Sequence, residues 1–160
     1  MNTLVIFVLL LAGLFAAVYI PKRRFGVLGL ALCAGALLSA SWTGTLTPWV
    51  ESQGVSVVTP PLSTIIAALL ILLPPVLLIF GGPAYSSNVQ RIVGSVAFAV
   101  LALVFLLQPL GDALVLDPLD TQIYNFLNEN SSTLIVAGIA LALIDIMMTR
   151  TPHHGKNASH

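Results

Sequence analysis

The chain has 160 residues, of which 58% are hydrophobic and only 8% charged, and its mean hydropathy is +1.01. A soluble domain carries about a quarter of its residues as charges and could not hide this much apolar surface from water, so lipid is the expected solvent for most of the chain. That excludes a soluble enzyme, a nucleic-acid binder and a disordered linker. Six Lys and Arg balance six Asp and Glu, and the single Cys33 excludes both a disulfide framework and a Cys-rich metal site.

The expected fold class is all-α: a polytopic integral membrane helical bundle filling residues 1–150, followed by a flexible cytoplasmic tail over 151–160. Five apolar runs are long enough to cross about 30 Å of hydrocarbon at roughly 1.5 Å per residue. The first covers about 4–20 and stops at Pro21-Lys22-Arg23-Arg24. Its leading residues carry no side-chain charge and the basic cluster follows the apolar core, the reverse of a secretory signal, so it reads as a retained anchor. The second starts at Phe25 and fades near Thr45. The third spans about 62–80 between Pro60-Pro61 and Gly81-Gly82-Pro83, the fourth runs from Arg91 to Gln108-Pro109, and the fifth covers about 133–149 before Arg150. Backbone in lipid must satisfy its own hydrogen bonds, so these runs are expected to be helices.

The charges orient the spans. With the amino terminus outside and the carboxyl terminus in the cytoplasm, Lys22, Arg23, Arg24, Arg91, Arg150 and Lys156 all face inward. Glu51, Asp112, Asp117, Asp120 and Glu129 then fall in the two outer connections, and five crossings are the simple threading that achieves this. The expected location is the cell's inner (plasma) membrane.

The first outer connection, 47–59, places Trp49 as an interfacial anchor, and its Thr47-Pro48 suits the start of a short helical turn on the membrane. The second contains Asp117-Pro118-Leu119-Asp120, which reads as a helix start. Leu119, Ile123, Phe126 and Leu127 then share one face, predicting an amphipathic helix on the outer surface between the fourth and fifth spans. Rows of small residues mark helix contacts: Ala31, Gly35 and Ser39; Ala36, Ala40 and Gly44; Gly13 and Ala17; Gly138 and Ala142.

Three features stand out as candidate functional positions. Pro74 and Pro75 remove two successive amide donors inside the third span and should kink or break it, as a hinge or as a packing feature. Asp145 is the lone intramembrane charge, roughly 6 Å from the inner end of its helix. It suits an ion pair with Arg91 or Arg24, an acid reaching interfacial water, or a transport role. His153, His154 and His160 lack the further ligands a zinc site needs. No catalytic motif, cofactor site or metal site is expected, and Asn130-Ser131-Ser132 matches a glycosylation triplet.

Two short stretches carry a family resemblance. Lys22-Arg23-Arg24-Phe25-Gly26 and Asn88-Val89-Gln90-Arg91-Ile92-Val93-Gly94 resemble the basic turn and the late-span entry of the bacterial CvpA family, the colicin V production proteins. The span bearing Asp145 is additional to that family's four-span plan, and no acid precedes Arg91. The resemblance implies an inner-membrane accessory protein linked to toxin export and envelope maintenance, with Arg91 and Gly94 as the positions carried over. The leading functional expectation is thus a non-enzymatic membrane protein acting by packing with itself or with a larger membrane assembly, its constant partner being the lipid bilayer. The alternative is a small channel or transporter using Asp145 and the Pro74-Pro75 break.

Overall fold

The computed structural model describes residues 3–55, 57, 60–81, 85, 87–111 and 118–148. The expected tail, with its three histidines and Lys156, lies outside the described residues, as do Arg150, Asp112 and Asp117. The described chain forms six α-helices: α1 (Thr3–Tyr19), α2 (Phe25–Ser52), α3 (Leu62–Gly81), α4 (Asn88–Gly111), α5 (Pro118–Glu129) and α6 (Ser131–Met147). Three of them, α2, α3 and α4, are long and apolar enough to cross a membrane, whereas α1 and α6 are apolar helices of 17 residues each.

Helix α4 is the axis of the bundle, packing against each of the other five helices. Its apolar inner face, including Phe98, Leu101, Ala102, Leu106 and Leu107, is buried together with Leu28 and Leu32 of α2. Residues such as Leu37, Leu69, Leu77 and Phe80 remain on the outside, as expected where lipid replaces water and packing must come from close backbone contact.

Two of the small-residue rows supply that contact. A Cβ on Gly35 would collide with the backbone of Ile71, so α2 and α3 approach to backbone contact there. Gly138 makes room for Leu101, and Ala142 packs on Gly26 and Gly29. Gly13 and Gly44, in the other two rows, have nothing within 4 Å.

Two expectations about chain breaks are corrected. Helix α3 does not break at Pro74-Pro75 but continues to Gly81, with Pro75 buried. The carbonyl that loses its i+4 donor to Pro75 is that of Ile71, and it lies against Gly35, where α2 covers it. Helix α2 likewise does not fade near Thr45; it runs through Pro48 to Ser52, so Thr47-Pro48 starts no separate turn. Two hydroxyls fold back onto this stretch, Thr43 donating to the Ser39 carbonyl and Thr47 to that of Thr43. Beyond the Gln53 cap the chain turns away at Gly54, whose φ of +86° is the left-handed geometry glycine adopts freely.

The amphipathic helix expected after Asp117 is present as α5. It docks on α4 and α6, and Tyr124 fills the space over Gly111 while Phe126 stays exposed.

Candidate functional site

A helix has four orphan amides at its start and four orphan carbonyls at its end. In a membrane those groups find little water, so another part of the protein must serve them. At one end of this bundle, five helix ends meet: the C-termini of α1, α3 and α6 and the N-termini of α2 and α4. Helices serve one another there through side chains far away in sequence.

The start of α2 has no cap of its own, because Arg24 at the N-cap position makes no side-chain capping bond. Instead, the Phe25 amide donates to the Tyr85 hydroxyl at 3.0 Å, and the Gly26 amide donates to Asp145 Oδ2 at 2.9 Å. The carboxylate of α6 thus sits at the positive end of a 28-residue helix, where a negative charge is favoured. Gly26 permits the approach, since a Cβ there would meet the Ala142 carbonyl at 2.6 Å and Asp145 Oδ2 at 3.0 Å.

The helix C-termini receive cations. Arg23 Nε donates to the Ile79 carbonyl at 2.6 Å and Nη2 to that of Phe80 at 3.1 Å, closing α3. Arg91 Nε donates to the Tyr19 carbonyl at 2.7 Å, closing α1, and its guanidinium lies 3.7 Å from the Tyr19 ring centroid. Both placements match positive charge to the negative end of a helix dipole.

Tyr85 ties these pieces together. It sits in the α3–α4 connection and is buried, and its amide donates to the carbonyl of Lys22, which holds a left-handed φ of 58°. Its ring lies under Arg24, 5.6 Å from the guanidinium carbon, while Arg24 Nη1 is buried without a hydrogen-bond partner. Gly94 exists to admit this ring: a Cβ there would meet the Tyr85 hydroxyl at 2.6 Å. Tyr85 and the Asp145 carboxylate line one cleft, near enough for the carboxylate to act on the phenol. Burial, with the nearby Asp145 charge as a smaller contribution in the same direction, pushes the Tyr85 phenol up to about 12. A phenol that hard to ionise is a hydrogen-bonding post near neutral pH and not a proton-transfer group.

Asp145 and Tyr85 open onto a cleft of about 260 Å³ that is also lined by Phe25, Gly94, Leu141 and Ile144. The structure therefore brings Asp145 and Gly94 to one place, with Arg91 on the neighbouring helix end. Pro74 and Pro75 belong to a different region, the α2–α3 contact. The ion pair expected between Asp145 and Arg91 or Arg24 does not form among the described residues. Arg91 is occupied by Tyr19, Arg24 rests on Tyr85, and the carboxylate is used by the start of α2. Tyr85 is the residue that sequence reasoning missed. Its one signal was a lone aromatic phenol between Gly82-Pro83 and the arginine of the next helix.

A second cleft, of about 390 Å³, lies toward the far end between α2, α3 and α4. It is lined by Ser39, Thr43, Ser63, Thr64 and Gln108 among apolar neighbours. No protein-family model, curated protein or solved structure matches the chain.

Proposed function

We propose that this chain is a non-enzymatic integral membrane protein that crosses the inner membrane five times and works as an accessory packing unit. It would pack with copies of itself or within a larger membrane assembly, as the resemblance to the CvpA family implies. The observation that carries the reading is the use made of Asp145. The lone intramembrane charge is engaged as a helix cap for α2, which is work for holding a bundle together.

Further features support the same reading. All Lys and Arg among the described residues gather at the end where the five helices meet, the pattern expected of a cytoplasmic face. Helices α1 and α6, roughly 26 Å long at 1.5 Å per residue, come close to the hydrocarbon thickness, and the anchoring arginine at the end of α1 suits a span at the interface. Gly13 and Ala17 of α1 are exposed, and Gly13 and Gly44 are each free of neighbours within 4 Å, while Ala36 and Ala40 in the row of Gly44 line the cleft between α2, α3 and α4. Rows of this kind favour close approach by another helix.

Crosslinking in native membranes tests the proposal. A Gly44→Cys chain in a Cys33→Ala background, and a Gly13→Cys chain in the same background, should each give a reproducible adduct with a second copy or one partner. A chain recovered only as monomer at both positions would sink the packing role.

A further inference from the structure

The capping arrangement leaves the cleft between α2, α3 and α4 unexplained. Its polar lining comes from three helices: Ser39 and Thr43 from α2, Ser63 and Thr64 from the first turn of α3, and Gln108 from α4. Ser39 and Thr43 lie about 21 and 27 Å along α2 from Phe25, within the thickness of the hydrocarbon when Phe25 marks the basic interface. Ser39 and Thr64 are buried at that level, whereas Ser63 and Gln108 are exposed.

Part of the lining satisfies itself. The Thr43 hydroxyl donates to the Ser39 carbonyl at 2.7 Å and lies 3.3 Å from the Ser39 hydroxyl. Among the described residues, no hydrogen bond engages the side chains of Ser63, Thr64 or Gln108, although Thr64 is only 6% exposed. One backbone acceptor adds to the surplus. Pro109 removes the i+4 donor for the carbonyl of Phe105, a residue that lines the cleft, whereas the Ile71 carbonyl freed by Pro75 lies against Gly35.

The chemistry of the lining selects a ligand class. Donors and acceptors are mixed, and no ionisable side chain is present among the lining residues. An anion would find no cation there. A bare metal cation would meet the positive end of α3, whose first turn supplies Ser63 and Thr64, without a carboxylate to offset it. A volume of about 390 Å³ also exceeds what a single ion fills and falls in the range of small-molecule sites. We propose that this cleft binds an uncharged polyol, either free in the water or as the headgroup of a glycolipid. The inference is separate from the accessory reading, and either can fail without the other.

The test uses the full chain in phosphatidylcholine nanodiscs, with the thermal midpoint read from Trp42 and Trp49 fluorescence. One arm titrates glucose, and the other titrates a glucosyl-diacylglycerol into the nanodisc lipid. The expected result is a saturable rise in midpoint in at least one arm, and which arm responds tells a free polyol from a headgroup. Half-saturation should move at least about tenfold higher in a Thr64→Val/Gln108→Leu double variant, which lacks two hydrogen-bonding groups. Ala67→Met, which fills the cleft without altering its polar groups, should abolish the response and guards against a double variant that does not fold. A linear rise shared by all variants, as osmolytes give, would overturn the proposal. So would a flat response in both arms, or a saturable response to sodium chloride in place of the sugars.

Discussion

The two ends of this bundle solve the same problem in opposite ways. At the basic end, orphan helix groups are satisfied across the fold: Arg23 serves α3, Arg91 serves α1, and Tyr85 and Asp145 serve α2. At the far end the bonds are local. Gly54 and Gln53 close α2 on the carbonyls of Glu51 and Val50, Asn130 turns back on Phe126, and Ser131 on Asn128. Long-range caps couple helices, so that loosening one loosens its neighbours. Local caps leave each helix end independent and the space between helices open to a guest. The difference assigns rigidity to one end and adaptability to the other.

Substitution of Asp145 should break the comparison most severely. Asp145→Ala strips the start of α2 of a charged acceptor and leaves the Gly26 amide unsatisfied, which costs about 2–3 kcal/mol for a hydrogen bond to a charged group. Asp145→Asn keeps a carbonyl oxygen for that amide and should recover about half of the loss. Unfolding of the purified chain in mixed micelles with increasing dodecyl sulfate reads both. Equal stability of Asp145→Ala and the parent would mean that the carboxylate caps nothing of consequence.

Tyr85→Phe is expected to cost less, about 1–2 kcal/mol, because the Phe25 amide loses a neutral acceptor while the ring remains on Gly94. It also carries a pH signature. The folded protein holds the phenol in its neutral form, with ionisation pushed from 10.0 to about 12. Below pH 10 this contribution to stability is fully present. Between pH 10 and about 12 an unfolded chain releases the proton and the folded chain does not, so stability falls as pH rises. An alkaline series of the same unfolding measurement should show that decline in the parent, reduced in Tyr85→Phe. Identical alkaline profiles would place the phenol in water.

The basic end was only half legible in the sequence. Composition and run length gave the helices, and charge placement gathered Lys22, Arg23, Arg24 and Arg91 on one side. Asp145 stood out because a charge in an apolar run is costly. Its partner was misjudged because opposite charges at one depth look like a pair. The competing demand comes from backbone amides, which have no letter in the sequence. Tyr85 stayed hidden for a related reason: its role depends on Gly94 and Phe25, nine and 60 positions away. Pro75 misled in the other direction, since a break is the local expectation and the contact with Gly35 is a tertiary one. The polar cleft was equally invisible, because Ser39, Thr64 and Gln108 are ordinary residues until three helices bring them together.

The smallest effect should come from the far end, and it sharpens the contrast. Thr64 is as buried as many core residues, at 6% exposure, and burial alone would rank Thr64→Val with Tyr85→Phe. The bonding says otherwise. Among the described residues no group depends on the Thr64 hydroxyl, so its removal orphans no partner. In the absence of added polyol, Thr64→Val should therefore lie within about 0.5 kcal/mol of the parent. A loss above about 1 kcal/mol would mean that the hydroxyl already holds the helices together. The far end would then be a second set of caps and not an open site.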